Sequence, residues 1–573
     1  MAASVPANCS PGDYARRLKS RATFTKSACA DSQRDNSRRR ATLFSLPATS
    51  VAGQGVSQSR LSSLLNKLEA HAPILLGALI VLWIGVIFAA SAYKYETFGQ
   101  GYDQVDFEQA IWNTTQGRVM EDSRFDFTDS IFGMDWMPML LFFVPVYALI
   151  PSAHALFFLQ IAASALGAVP VYWLARDRLG SKLVGLCFGA VYLLYPTLLH
   201  TALNPFQVRL FALTLLLFGF YHFERSNWKL FAACALLAML ARTDVALVVA
   251  MFGVYGLLTR RRWPYVVAPL ALGFGYFALS TFVIVPSFLH PAAFSAAGDG
   301  SMQCWPCGSN PILAYYGHLG RSGPEIIGYI LAHPIEVAQL MFTGPKLWYI
   351  LSLLVPLAFL PLLAPRPLVL GLPILALNLL SLRAAQFDYA HHYSLLLIPG
   401  LLASAIYGAD ALQRMWAKRA KRHGKEGISL APVQLGAMAL VVWTLAMQVP
   451  YKNPAVSAFL YPEPPARVAA AHDLIGMVPR EAKVAVSSKL APHLLPRRYI
   501  YNFPPAAYSP YNFGPRRSER YSELDYILVD PEASALKEEE NKIEGKSGLE
   551  WLAQLPEWER VAEREGLLLF RRR

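Results

Sequence analysis

What most constrains this chain is a succession of apolar runs, each close to the length of a membrane crossing. The first, Pro73 to Tyr93, is uncharged and long enough for a helix rising about 1.5 Å per residue to cross about 30 Å of hydrocarbon. Further runs lie at roughly 154–175, 183–202, 208–223, 228–241, 244–258, 264–286, 346–364, 367–382, 394–412 and 430–450. Backbone polar groups in lipid must be satisfied internally, and a helix does this within one segment. The expected fold is therefore a polytopic α-helical membrane protein of about 11 spans. Composition agrees: of 573 residues only 16% are charged, against about 25% in soluble domains.

The net charge of +13 invites a nucleic-acid reading. The basic residues instead sit in the tails and between apolar runs, where membrane orientation accounts for them. With the N-terminus inside, the inner connections hold Arg176, Arg178 and Lys182, then Arg225 and Lys229, then Arg260 to Arg262, Arg366, and the cluster from Arg414 to Lys425. The first outer loop, 94–136, collects Glu96, Asp103, Asp106, Glu108, Glu121, Asp122, Asp126, Asp129 and Asp135 against Lys94, Arg118 and Arg124. Met137 to Ile150 is apolar but short and flanked by prolines, so it reads as a re-entrant or interfacial helix.

Residues 1–70 read as a disordered basic cytoplasmic tail, a composition that an organellar transit peptide shares. Ser62 to His71 reads as a short interfacial helix. The transmembrane domain is expected over 71–450. Residues 451–573 read as an extracytoplasmic α/β domain, with a helix at Ala466 to Met477, strands at Val484 to Val486, Arg498 to Tyr501 and Tyr526 to Val529, and a late pair around Trp558 to Phe570. The charged segment Lys537 to Lys546 reads as a solvated loop or helix face.

Candidate chemistry concentrates in two places. In the acidic loop, Asp103 and Asp106 would share a helical face, and such carboxylates serve as general bases or hold a divalent cation; a hydrated acidic loop has the same spacing. At span ends, Arg209, Arg242, Asp244, Arg383 and Asp388 border apolar runs, where charge persists only with a partner or a cavity. Arg242 suits a bidentate grip on phosphate or carboxylate, or simply pairs with Asp244. His391 and His392 near Asp388 suggest metal or acid–base work, or a polar interfacial cap. Cys304-Trp-Pro-Cys307 suggests a local disulfide, and His493 sits on the surface or in a cleft of the outer domain.

Tyr102-Asp103 through Phe107-Glu108-Gln109-Ala110-Ile111-Trp112-Asn113 resembles the opening motif of a bacterial membrane family, domain of unknown function 2079. Arg242-Thr243-Asp244-Val245-Ala246-Leu247, His392-Tyr393 with Pro399, Val484 through Pro492-His493-Leu494, Arg497 to Pro504, and Asp525 to Asp530 extend the resemblance over about residues 90–530. That family is similar to the C-class glycosyltransferases. The resemblance implies sugar transfer from a polyprenyl-phosphate-linked donor to an acceptor outside a bacterial cytoplasmic membrane. It makes Asp103 the catalytic acidic position, Glu108 its partner, Arg242 the basic position for the donor phosphate, and His392 a neighbour of acceptor or phosphate. Asp135 stands where a family histidine is expected, and Phe206-Gln207-Val208 replaces an expected Phe-His-Pro. Those departures leave either a different substrate or an inactive member.

An inverting transfer needs a base for the acceptor hydroxyl and positive charge for the departing phosphate. Asp103 facing Arg209, Arg242 and Arg383 would supply both. The rival expectations are a transporter or flippase for a lipid or anionic solute, with those charges lining a path, and a non-catalytic scaffold. No Gly-rich nucleotide fingerprint follows a strand, which disfavours a soluble nucleotide-sugar donor.

Overall fold

The computed structural model describes residues 52–573 except 126, 291–314, 321, 423–430, 461–462, 504–521 and 534–546, with side chains from Ser63 onward. The chain forms two units, Met1–Gln58 and Ser59–Arg573, and every contact below lies within the second. The tail up to residue 51, the Cys304–Cys307 motif and the Lys537–Lys546 segment lie outside the described residues.

The described chain is mostly helical. Among the described residues four helices are long and apolar enough to cross a membrane: Ser63–Glu96, Ala153–Leu179, Pro264–Ser287 and His392–Arg422. Two bent pairs, Lys182–Leu193 with Pro196–Ala202 and Pro334–Met341 with Gly344–Leu357, raise that number to six if each is one span. Shorter apolar helices cover Trp228–Met239, Val245–Leu258, Arg366–Leu380 and Ala431–Ala446. The expected interfacial helix at Ser62 to His71 is instead continuous with the first span, within one helix, α1, at Ala52–Glu96. Side-chain oxygens of Ser152, Ser181 and Asn227 cap the helices that follow them.

Two helices that frame the site pack closely because of glycine. Gly253 of Val245–Leu258 meets the Val266 carbonyl, and Gly273 of Pro264–Leu279 meets the Ala246 carbonyl, with no room for a Cβ at either. Small residues let helix backbones approach in lipid. This approach brings Asp244, at the start of one helix, and Thr281, just past the end of the other, to the same pocket.

The C-terminal region carries a five-stranded sheet: β1 Val484–Val486, β2 Ile500–Asn502, β3 Tyr526–Val529, β4 Trp558–Arg564 and β5 Leu567–Arg572. Its order is β2-β1-β3-β5-β4. β1 is parallel to β2 and β3, while β5 runs antiparallel to β3 and β4. All of β1 is buried, as suits a short apolar strand flanked on both sides. Glu565 and Gly566, both with positive φ, make the two-residue turn of the β4–β5 hairpin.

One edge of this sheet is closed by the first loop. Ile500 of β2 donates its N–H to Ser123 Oγ at 3.0 Å, and Ser123 Oγ donates to the Ile500 carbonyl at 2.8 Å. Tyr102 OH also reaches that carbonyl at 3.0 Å, and Gln109 Nε2 donates to the Arg498 carbonyl at 2.6 Å. An edge strand otherwise presents unpaired backbone groups. Phe98, Tyr102 and Val105 enter the same core cluster as Val484, Ile500 and Leu528, so the acidic loop and the sheet pack as one body.

Candidate functional site

The first loop begins with a helix, α2, at Asp103–Thr115. Asp103 and Asp106 share one face of it, as their spacing predicts, and Arg124 closes the pair. Arg124 Nη1 contacts Asp103 Oδ1 at 3.5 Å and bonds Asp106 Oδ2 more closely. The guanidinium lies over the rings of Tyr102 and Phe125 at 4.9 and 5.2 Å. Asp103 keeps an exposed side chain while Asp106 is buried. Burial pushes the Asp106 carboxyl well above the usual carboxylate range, against the pull of Arg124.

Glu108 does not join that pair. It is buried on another face of α2, where Oε2 accepts from Gln104 Nε2 at 2.9 Å and Oε1 from Tyr147 OH at 2.8 Å. Gln104 in turn accepts from the Phe206 N–H at 2.9 Å. Burial raises the Glu108 carboxyl to about 7. The acidic partner of Asp103 on the helix face is thus Asp106, and the expected Asp103–Glu108 partnership is corrected: five positions apart on a helix, the two carboxylates diverge.

The second cluster gathers the span-end charges. Arg242 Nε lies 2.7 Å from Asp135 Oδ2 and 3.9 Å from Asp244 Oδ2. Arg209 Nη2 bonds Asp244 Oδ2. Arg209 Cζ stands 5.3 Å over the Tyr393 ring, and Arg383 donates to Tyr393 OH at 3.1 Å and to Tyr315 OH. His392 lies in the field of Arg209, Arg242 and Arg383, with its ring 4.2 Å from that of Tyr393. Asp135, where the resemblance leads one to expect histidine, is therefore the buried counterion of Arg242.

Of these charges Arg209, Arg242 and Asp244 line an open pocket, together with Thr281, Gln386 and Tyr393 among others. Arg209 is 3% exposed, and its Nε and Nη1 have no hydrogen-bond partner among the described residues. Among the described residues of this cluster three arginines stand against two aspartates, a balance that suits an anion. Asp103 and Glu108 do not line this pocket.

His391 pairs with Asp388 at 3.2 Å. Among the described residues no group of three or more His, Cys, Asp or Glu could hold a metal ion. His493 is half-buried rather than open: Nε2 lies 2.8 Å from the Tyr95 carbonyl, and the ring packs on Tyr95 and Phe98. Burial lowers its pKa to about 4.

Sequence reasoning missed Arg124 as the clasp of the acidic pair, although one arginine among so many acids is a visible signal. It missed Tyr147, whose hydroxyl stands in the apolar stretch after the loop. Thr281 and Gln386 carry no charge, and nothing in their spacing points to a pocket.

The fold and its charged pocket define a helical membrane protein with a small C-terminal sheet. The chain belongs to the family described as predicted membrane proteins, DUF2079, whose model matches residues 94–569. No curated protein matches it. Among solved structures it is similar to apo ArnT from Cupriavidus metallidurans, with 14% identity and a TM-score of 0.46 over 86% of this chain and 98% of that one. It is also similar to the Archaeoglobus fulgidus oligosaccharyltransferase in complex with Zn and sulfate, with 15% identity and a TM-score of 0.41 over 78% of this chain and 68% of that one.

Proposed function

We propose that the protein is a C-class-type membrane glycosyltransferase that moves a sugar from a polyprenyl-phosphate donor to an acceptor on the outer side of a bacterial cytoplasmic membrane. The observation that carries this reading is Arg209, a buried guanidinium with two nitrogens lacking hydrogen-bond partners among the described residues, in the wall of a pocket at the ends of apolar helices. A buried cation of this kind is costly unless a ligand completes it, and a lipid-linked phosphate brings its charge to this depth. Arg209 would steady the departing phosphate, with Arg242 held in place by Asp135 and Arg383 at the rim. Asp244 and His392 belong to the same substrate region. Asp103, exposed on α2 and outside the lining of that pocket, is the base proposed for an acceptor hydroxyl that reaches from α2 to the donor, and the Arg124–Asp106 pair fixes its helix face. In this reading residues 71–450 form the membrane part and 451–573 the outer domain, with the N-terminus inside.

A transporter of an anionic lipid or solute is the second reading, favoured by the two helix pairs bent by 52° and 61°. The test is turnover. Wild-type protein and Asp103→Asn in nanodiscs are each offered radiolabelled polyprenyl-phosphate sugars, and release of the lipid phosphate is followed. Turnover in the wild type that is lost in the variant supports the transferase. Equal turnover in both removes Asp103 as the base, and binding without turnover in the wild type moves the reading to transport.

A further inference from the structure

The pocket beside Arg209 offers more than a place for an anion. Thr281 Oγ1, Gln386 Oε1 and Asp244 Oδ1 have no hydrogen-bond partner among the described residues, and all three side chains line the pocket. Thr281 and Gln386 are 3% and 4% exposed, so water does not readily replace a missing partner. Two of these oxygens are acceptors only, and a buried acceptor is completed only by a donor. A bare phosphate satisfies the Arg209 nitrogens but presents oxygen to the oxygens of Asp244 and Gln386. The complementary ligand carries an anion and O–H or N–H donors together.

Local backbone geometry supports a role for these side chains. Thr281 stands on a π-helical turn, Ser280–Ile284, that interrupts the span Pro264–Ser287. Such turns are rare and occur often at functional sites. Gln386 stands on a tight turn, Ala384–Phe387, directly after Arg383. Phe277, Tyr315 and Tyr393 supply aromatic wall between the polar groups, as in sites that bind a ring and orient it by a few hydrogen bonds.

From this juxtaposition we infer that the pocket reads a polyhydroxylated ring joined to a phosphate, and that Thr281 and Gln386 determine its specificity by receiving ring hydroxyls while Arg209 holds the phosphate. The inference rests on the proposed reading of Arg209 as a phosphate ligand, but it does not require turnover.

The experiment measures binding to the full chain in nanodiscs by calorimetry and saturation-transfer NMR. One arm compares glucose, galactose and mannose 1-phosphates with inorganic phosphate; the other compares short polyprenyl-phosphoryl hexoses with the bare polyprenyl phosphate. At least one sugar-bearing probe is expected to bind about tenfold more tightly than its sugar-free counterpart. Gln386→Leu and the nearly isosteric Thr281→Val should each pull that ratio toward one while leaving sugar-free phosphate affinity within about twofold. Equal affinity for both members of every pair, binding of no probe, or an unchanged ratio in a folded Thr281→Val protein overturns the inference. A sugar preference without turnover leaves it standing and removes the transferase; turnover without a preference that depends on Thr281 or Gln386 does the reverse.

Discussion

Arg242 turns its Nε onto Asp135 Oδ2 at 2.7 Å, and this pair joins the end of the first loop to the turn between two apolar helices. Asp135 is 0% exposed. A buried pair broken on one side leaves an uncompensated charge, which is more damaging than removal of both partners. Asp135→Asn is therefore expected to destabilise the protein by about 3 kcal/mol, read as a lower unfolding temperature in detergent. Asp135→Asn combined with Arg242→Met should recover part of the loss. A single variant as stable as wild type would show that the pair carries no structural charge balance.

Arg209 has two guanidinium nitrogens without a hydrogen-bond partner among the described residues. Its Nη2 bonds Asp244, and its side chain lines the pocket. Lysine would keep the charge but lose the planar fork that can hold Asp244 and a ligand together. Arg209→Lys should weaken binding of polyprenyl phosphate about tenfold or more, and Arg383→Gln, at the exposed rim, should weaken it less. Binding isotherms in nanodiscs check the order. A larger effect at Arg383 would move the anion site outward.

Much of the fold was legible because its signals are local. The apolar runs coincide with helices, including Ala153–Leu179, Val245–Leu258 and Pro264–Ser287, and the strand at Val484–Val486 falls where a short β-branched run placed it. The site was legible only in part. Arg209, Arg242 and Asp244 stood out because charge beside apolar sequence requires an explanation. The expected contact of Arg242 with Asp244 is present at 3.9 Å, but its closer partner Asp135 did not stand out, because the two are far apart in sequence and only tertiary packing brings them together. The same holds for Ser123 and Ile500, since nothing in a lone serine announces that it closes a strand edge.

Glu108 predicts a pH dependence whose sign is fixed by burial. Its carboxyl is raised to about 7 in the folded chain, above the ordinary value of 4.5. Between these values the folded state binds more protons than the unfolded state, so stability falls as pH rises from about 4.5 through about 7. The slope contributed by this group is on the order of 1 kcal/mol per pH unit within the window. Glu108→Gln should flatten that segment of the profile and raise the unfolding temperature at pH 8 relative to wild type, about one unit above the Glu108 value. Parallel profiles for the two proteins would contradict this assignment.

Ser123 makes a separate prediction about how the sheet is held. Its hydroxyl accepts from the Ile500 N–H at 3.0 Å and donates to the Ile500 carbonyl at 2.8 Å, both in buried surroundings. Ser123→Ala removes both bonds and leaves a backbone donor unsatisfied, at a cost of about 1–3 kcal/mol. Because Tyr102 still holds the Ile500 carbonyl and Gln109 that of Arg498, the module should stay docked while the Ile500 N–H at the edge of β2 opens locally. Hydrogen exchange is the direct measurement: the amide of Ile500 should exchange at least tenfold faster in Ser123→Ala, with β3 and β5 unchanged. Uniform acceleration across the sheet would mean that Ser123 supports the whole module, whereas no change at Ile500 would mean that this strand edge is protected by other contacts.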